Sequence, residues 1–130
     1  MKPTLVIVDD VKGIRDVVRA ALAQDFAIVA EAADGTQAVE AFRQFKPELM
    51  IMDLVMPRLS GLGAIEQIMQ AQETPKPIIV VLSGIRDESV VLQAMEAGAV
   101  DYLFKPPETE MLKKVLWRFL ESPLKSKAAP

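Results

Sequence analysis

The chain contains no cysteine and no histidine. Without cysteine there is neither a disulfide framework nor a thiolate zinc site. Without histidine there is no Ser-His-Asp triad, no imidazole-bound metal and no phosphohistidine carrier in this chain. Long apolar runs are also missing: none approaches the ~20 residues of a membrane-spanning helix. Asp9 and Asp10 interrupt the only early apolar stretch, so no signal peptide is expected. Positive charge is not in excess. The formal net charge is -3 and the pI is near 5.0, which argues against broad binding of nucleic acid or membrane by this domain. A cytoplasmic protein is the expectation.

What is present is ordinary globular material. The 130 residues are 51% hydrophobic and 25% charged, enough for one domain with a core and too apolar for a disordered chain. Five short apolar runs read as strands: Thr4–Val8, Ala27–Glu31, Leu49–Met52, Ile78–Leu82 and Val100–Phe104. Most are continuously apolar rather than alternating, as in a parallel sheet buried on both faces. Helical periodicity fills the gaps. Residues 12–24 carry Ile14, Val17, Val18, Ala21 and Leu22, and residues 35–45 carry Ala38, Val39, Ala41, Phe42 and Phe45. Residues 61–71, 86–97 and 108–121 follow the same rule, the last two with Met95 and Met111 in their stripes. The plain structural reading of every stripe is core. Asp34 and Ser60 are candidate N-caps and Gly98 a helix stop. Strict βαβ alternation predicts a doubly wound α/β fold with right-handed crossovers and helices on both faces. The segment 122–130 (SPLKSKAAP) reads as a linker or frayed tail after a domain spanning 1–121.

The polar residues fall at the ends of strands. The first run ends at Asp9-Asp10, the third at Asp53, the fourth at Ser83 before Gly84, and the fifth is followed by Lys105 and Pro106. In open α/β sheets, ligands bind beyond the carboxyl ends of the strands. Four segments carry this pattern in order: VIVDD at 6–10, MDLVMPRLSG at 52–61, VVLSG at 80–84 and GAVDYLFKP at 98–106. On these the chain resembles the bacterial two-component response regulator receiver family, of the chemotaxis-regulator kind, from about Thr4 to Leu120.

The resemblance implies a flavodoxin-like strand order, 2-1-3-4-5. Strands one and three are then neighbours, which brings Asp9, Asp10 and Asp53 to one edge, with Ser83 and Lys105 arriving from the other side. Two like charges about 4 Å apart cost about 4 kcal/mol at an effective dielectric of about 20. Either some carboxylates protonate or a cation sits among them. Oxygen ligands alone favour Mg²⁺, or Mn²⁺, over zinc. Three carboxylates, one dication and the Lys105 ammonium sum to zero.

The resemblance also implies roles. Asp53 is the expected phosphoacceptor, a carboxylate forming an acyl phosphate. Asp10, Asp53 and the backbone carbonyl of Val55 are expected to ligate Mg²⁺, and Asp9 to act through metal-bound water. Lys105 is expected to pair with Asp53 and then with the phosphoryl oxygens. Ser83 would donate its hydroxyl to the phosphoryl group, and Tyr102 would be the switch aromatic, turning inward as the loop at Ser83 moves. The Lys105–Pro106 bond is expected to be cis. The implied partners are a sensor histidine kinase or phosphotransfer protein, docking near Val11, Ile14 and Arg15, and a downstream effector or fused output domain. The output face is expected over residues 86–121, which is also the candidate homodimer surface. Such a module catalyses only its own phosphorylation and dephosphorylation.

Each residue has a plainer use. Asp9 and Asp10 suit a turn or helix cap, Ser83 a loop hydroxyl, Tyr102 a half-buried strand position and Lys105 a solvated surface. Two other functions compete: a degenerate receiver acting only as an interaction module, and an aspartyl-nucleophile phosphatase. The phosphatase would want a second aspartate two residues after the nucleophile, where this chain has Val11 or Val55. Two departures from the family concern the path of an attacking water. Val55 and Ile85 are β-branched and cannot hydrogen-bond it, so slow self-dephosphorylation is expected.

Overall fold

The computed structural model describes residues 1–121. Strands and helices alternate throughout: β1 (Thr4–Val8), α1 (Lys12–Leu22), β2 (Ala27–Ala32), α2 (Gly35–Phe45), β3 (Leu49–Met52), α3 (Gly61–Gln70), β4 (Ile78–Ser83), α4 (Glu88–Ala97), β5 (Asp101–Phe104) and α5 (Thr109–Glu121). The strands form one parallel sheet in the order β2-β1-β3-β4-β5, as the resemblance implied. The expected tail, 122–130, lies outside the described residues.

Each strand sends alternate side chains to opposite faces, and the core divides accordingly. Val6, Val8, Met50, Met52, Ile79 and Val81 face Ala38 and Phe42 of α2, Ile65 and Ile68 of α3, and Ala94 of α4. Leu5, Ile7, Leu49, Ile51, Val80 and Leu82 face Val18 and Leu22 of α1 and Leu112, Val115 and Leu116 of α5. The three central strands are therefore apolar at successive positions because both faces are covered. β2 is an edge strand, and five of its six residues are only half-buried. Phe42 is completely buried. Truncating such a side chain to alanine costs about 3–5 kcal/mol.

Local signals place several boundaries. Asp34 caps α2 by accepting a hydrogen bond from the Gln37 amide, and Ser60 caps α3 by accepting one from Gly63. Gly98 ends α4 at φ 134°, where a side chain would be strained and a Cβ would also come 2.6 Å from Cγ of Met69. Other expectations need correction. α4 begins at Glu88, not 86, because Asp87 caps it by accepting from the Ser89 amide. α1 stops at Leu22, β2 runs on to Ala32, and β4 includes Ser83. Val17, Phe45, Met95 and Met111 leave the core and are 52%, 42%, 38% and 45% exposed. A helix lying on a sheet buries a stripe narrower than its whole apolar face, so Val18 turns inward and its neighbour Val17, about 100° round the helix, does not.

Candidate functional site at the carboxyl edge of the sheet

Register makes the site. Val8 of β1 is paired with Met52 of β3, and the next residue on each strand is an aspartate. The Asp53 amide donates to the Val8 carbonyl at 2.9 Å, and the Asp9 amide donates to the Ala32 carbonyl at 3.0 Å. These bonds hold both residues at the end of the sheet. Carboxylate oxygens of Asp9, Asp10 and Asp53 lie within 4.8 Å of one another. Asp9 and Asp53 are buried, whereas Asp10 is exposed at the rim.

Lys105 enters from β5. Its amide donates to the Ser83 carbonyl at 3.0 Å, which continues the β4–β5 pairing of Ser83 with Phe104. Its ammonium lies 2.8 Å from Oδ2 of Asp9 and 3.5 Å from Oδ2 of Asp53. The expected pair with Asp53 is present, but the closer contact is to Asp9. The other oxygen of each aspartate serves the backbone: Oδ1 of Asp53 accepts from the Leu54 amide and Oδ1 of Asp9 from the Val11 amide, each at 2.9 Å. Asp9 thus also makes the turn allowed by the plainer reading. Neither aspartate caps α1, whose N-cap position is Val11 with no side-chain bond. The bond from Lys105 to Pro106 is cis.

The electrostatics are unbalanced. Burial, then the neighbouring charge of Asp9, push the Asp53 carboxyl above its ordinary range, although Lys105 and the Leu54 amide pull the other way. Burial would lower the Lys105 ammonium, but its bond to Asp9 and the charges of both aspartates outweigh that and raise it. Three carboxylates with one ammonium leave an excess of negative charge beside the exposed Asp10. A hard dication with oxygen ligands fits that donor set, which contains no nitrogen or sulfur ligand. Val55, two residues beyond Asp53, lies on the loop after β3 and is 61% exposed.

Ser83 is fully buried at the end of β4, and its Oγ accepts from the Ile85 amide at 3.2 Å. Tyr102 is buried too. Its hydroxyl donates to the Ile85 carbonyl at 2.8 Å, and its ring meets that of Phe104 edge-on at 5.6 Å. Tyr102, the expected switch aromatic, thus reaches the loop that follows Ser83. Sequence reading missed three contacts around this edge. The Arg86 guanidinium stacks over Phe104 at 4.3 Å. Arg58 pairs with Asp34 at 2.6 Å. Arg15 donates to the Asp9 carbonyl at 2.7 Å while its Nε pairs with Glu31. Each joins residues on separate elements, so no periodicity or short motif announces it.

The family model for the response regulator receiver domain matches residues 5–116. A chemotaxis protein CheY of Bacillus subtilis (strain 168) is 32% identical over 117 residues, covering 89% of this chain and 96% of that protein. A protein-glutamate methylesterase/protein-glutamine glutaminase of Paramagnetospirillum magneticum is 42% identical over 110 residues. That match covers 83% of this chain and only 30% of the larger relative. Among solved structures, the response regulator domain of Thermotoga maritima CheB superposes with a TM-score of 0.82 at 27% identity, covering 95% of this chain and all of that one. The signal receiver domain of NarL from Mycobacterium tuberculosis gives 0.84 at 27% identity, over 93% and 98% of the two chains.

Proposed function

This chain belongs to the response regulator receiver domain family, and from that membership we propose that it is a phosphorylation-dependent switch whose phosphoacceptor is Asp53. The observation that carries the reading is the gathering of Asp9, Asp10 and Asp53 within 4.8 Å, with the Lys105 ammonium against two of them. A carboxylate oxygen of Asp53 attacks the phosphorus of a phosphohistidine or a small acyl phosphate. An O–P bond forms, the bond to the donor breaks, and the donor keeps the electron pair. Lys105 faces the oxygens that gain charge, and Ser83 is placed at the end of β4 to donate its hydroxyl to one of them. Asp10, Asp53 and the Val55 carbonyl would hold Mg²⁺, or Mn²⁺, and Asp9 would act through metal-bound water; the ion would supply charge stabilisation for the transferring group.

The donor in this reading is a sensor histidine kinase or phosphotransfer protein. Arg15 was expected at its docking surface, but it is tied to Glu31 and the Asp9 carbonyl. Exposed Val11 and Val17 on and beside α1 serve that surface better. Output passes through residues 86–121 to an effector or fused domain, and the chain itself turns over no other substrate. The methylesterase relative extends well beyond the matched region, an arrangement that supports fusion as one form of output. Among the described residues no helix is long and apolar enough to cross a membrane, and we place the protein in the cytoplasm.

The test is incubation with acetyl phosphate and Mg²⁺, read by intact mass. The parent should gain one phosphoryl group and Asp53→Asn none. Equal labelling of the two removes Asp53 from the chemistry. No labelling of the parent, together with no binding of beryllofluoride, leaves an interaction module in its place.

A further inference from the structure

Arg58 holds a left-handed backbone, φ 61°. Non-glycine residues adopt that region infrequently, and glycine would do so without steric cost. An outlier of this kind asks what the side chain contributes. The Arg58 guanidinium reaches Oδ2 of Asp34 at 2.6 Å. Asp34 is buried, and its other oxygen caps α2 through the Gln37 amide at 2.8 Å. The Gln37 side chain returns the bond by accepting from the Ala33 amide at 2.8 Å, so the aspartate is fixed from two sides.

The same junction is closed by backbone. The Gly35 amide donates to the Leu59 carbonyl at 2.8 Å, and a Cβ at Gly35 would come 2.2 Å from that oxygen. The Gly61 amide donates to the Leu54 carbonyl at 2.9 Å, and a Cβ there would come 1.9 Å from the Asp53 carbonyl. Residues 54–61 are therefore a loop pinned to the end of β3 and to the start of α2, and Val55 lies between the pins.

We propose that Arg58 and Asp34 are positioning residues for metal binding: their ion pair clamps the β3–α3 loop onto the N-terminus of α2 and so holds the Val55 carbonyl where a cation shared with Asp10 and Asp53 would need it. The inference rests on the metal-dependent reading above. It adds α2, which contributes no ligand, to the elements that set metal affinity. Groups outside the ligand shell do this by restricting where a ligand can go.

The test compares the parent with Arg58→Gly and Arg58→Ala. Both substitutions remove the ion pair, but glycine relieves the left-handed backbone and alanine does not. Mn²⁺ binding is followed by loss of the free-ion electron paramagnetic resonance signal, with Asp10→Asn as the control for site occupancy. Both Arg58 variants should bind Mn²⁺ on the order of tenfold more weakly, the low end of what residues outside the ligand shell contribute. Arg58→Gly should still unfold in one cooperative transition without metal, above the temperature of Arg58→Ala, so lost affinity is not lost folding. In metal-free protein the Gly35 amide, which bridges the clamp, should exchange with solvent faster in both variants. Parent-like Mn²⁺ affinity in Arg58→Gly overturns the proposal, as does weakening confined to Arg58→Ala, which would trace to backbone strain. A parent that binds no Mn²⁺ overturns the metal-dependent reading instead.

Discussion

The hydroxyl of Tyr102, on β5, donates a hydrogen bond to the backbone carbonyl of Ile85, two residues past Ser83. The distance is 2.8 Å and the tyrosine is buried. One side chain thus ties the strand that precedes Lys105 to the loop that follows Ser83. The Arg86 guanidinium over Phe104 fastens the same loop to the same strand a second time.

Removing that hydroxyl should loosen the loop while leaving the ring packed. Tyr102→Phe is expected to lose about 0.5–1.5 kcal/mol of stability, the usual net worth of an intramolecular hydrogen bond. Urea denaturation at neutral pH measures it. An unchanged midpoint would mean that the Ile85 carbonyl is equally well served by water.

Replacing Asp53 should stabilise the metal-free fold at neutral pH. Burial and then the Asp9 charge raise the folded pKa of Asp53 above its ordinary 3.8. A carboxyl with a raised folded pKa contributes stability below the unfolded value and loses it as pH climbs through the folded value. Asp53→Asn removes that loss. Its melting temperature in EDTA should exceed the parent's at pH 7, and the gap should close as pH falls below 3.8. In Mg²⁺ the parent should gain melting temperature and the variant should gain less. A lower melting temperature for the variant in EDTA at pH 7 would contradict the charge imbalance described for this site.

Glu31 offers the opposite sign. Burial works to raise its pKa, but hydrogen bonds and charge from Arg19 and Arg15 outweigh it and hold it below the ordinary 4.5. Its contribution is therefore present above 4.5 and lost as pH falls through the folded value. Glu31→Gln should cost about 0.5–1 kcal/mol at pH 7, discounted for partial exposure of the pair, and less at pH 3, below the ordinary 4.5. Guanidinium titrations at the two pH values make the comparison, and an equal cost at both would assign it to packing.

The acyl phosphate should be long-lived. Val55 and Ile85 carry no side-chain hydrogen-bonding group for a water approaching Asp53, and Val55 is exposed on the loop after β3. Val55→Asn with Ile85→Glu supplies two such groups. A transition state gaining about 1.4 kcal/mol from one of them decays about tenfold faster. Phosphoryl loss followed by intact mass after removal of acetyl phosphate gives the two rates, and equal decay would dismiss the role of these positions.

Much of this architecture is written locally. The strand cores, the caps at Asp34 and Ser60 and the stop at Gly98 depend on residues a few positions apart, so a linear reading finds them. The aspartates, Ser83 and Lys105 are visible because each follows an apolar strand. Less visible is how wide each buried helix stripe is. Val17 and Met111 match the helical period yet face outward, since the period marks an apolar face without stating how much of it a neighbour covers.

Side-chain chemistry along the chain decides that there are five strands, the central three buried on both faces, and that acid, hydroxyl and ammonium groups stand at strand ends. Which of those groups meet is a matter of register. Pairing Val8 with Met52 sets Asp9 beside Asp53, and pairing Ser83 with Phe104 delivers Lys105 closer to Asp9 than to Asp53. The bond from Arg58 to Asp34 spans 24 residues and exists only because α2 and the loop after β3 are packed together. Long-range contacts of this kind have no signature in spacing, because the chain between the partners can take any length that the fold accommodates.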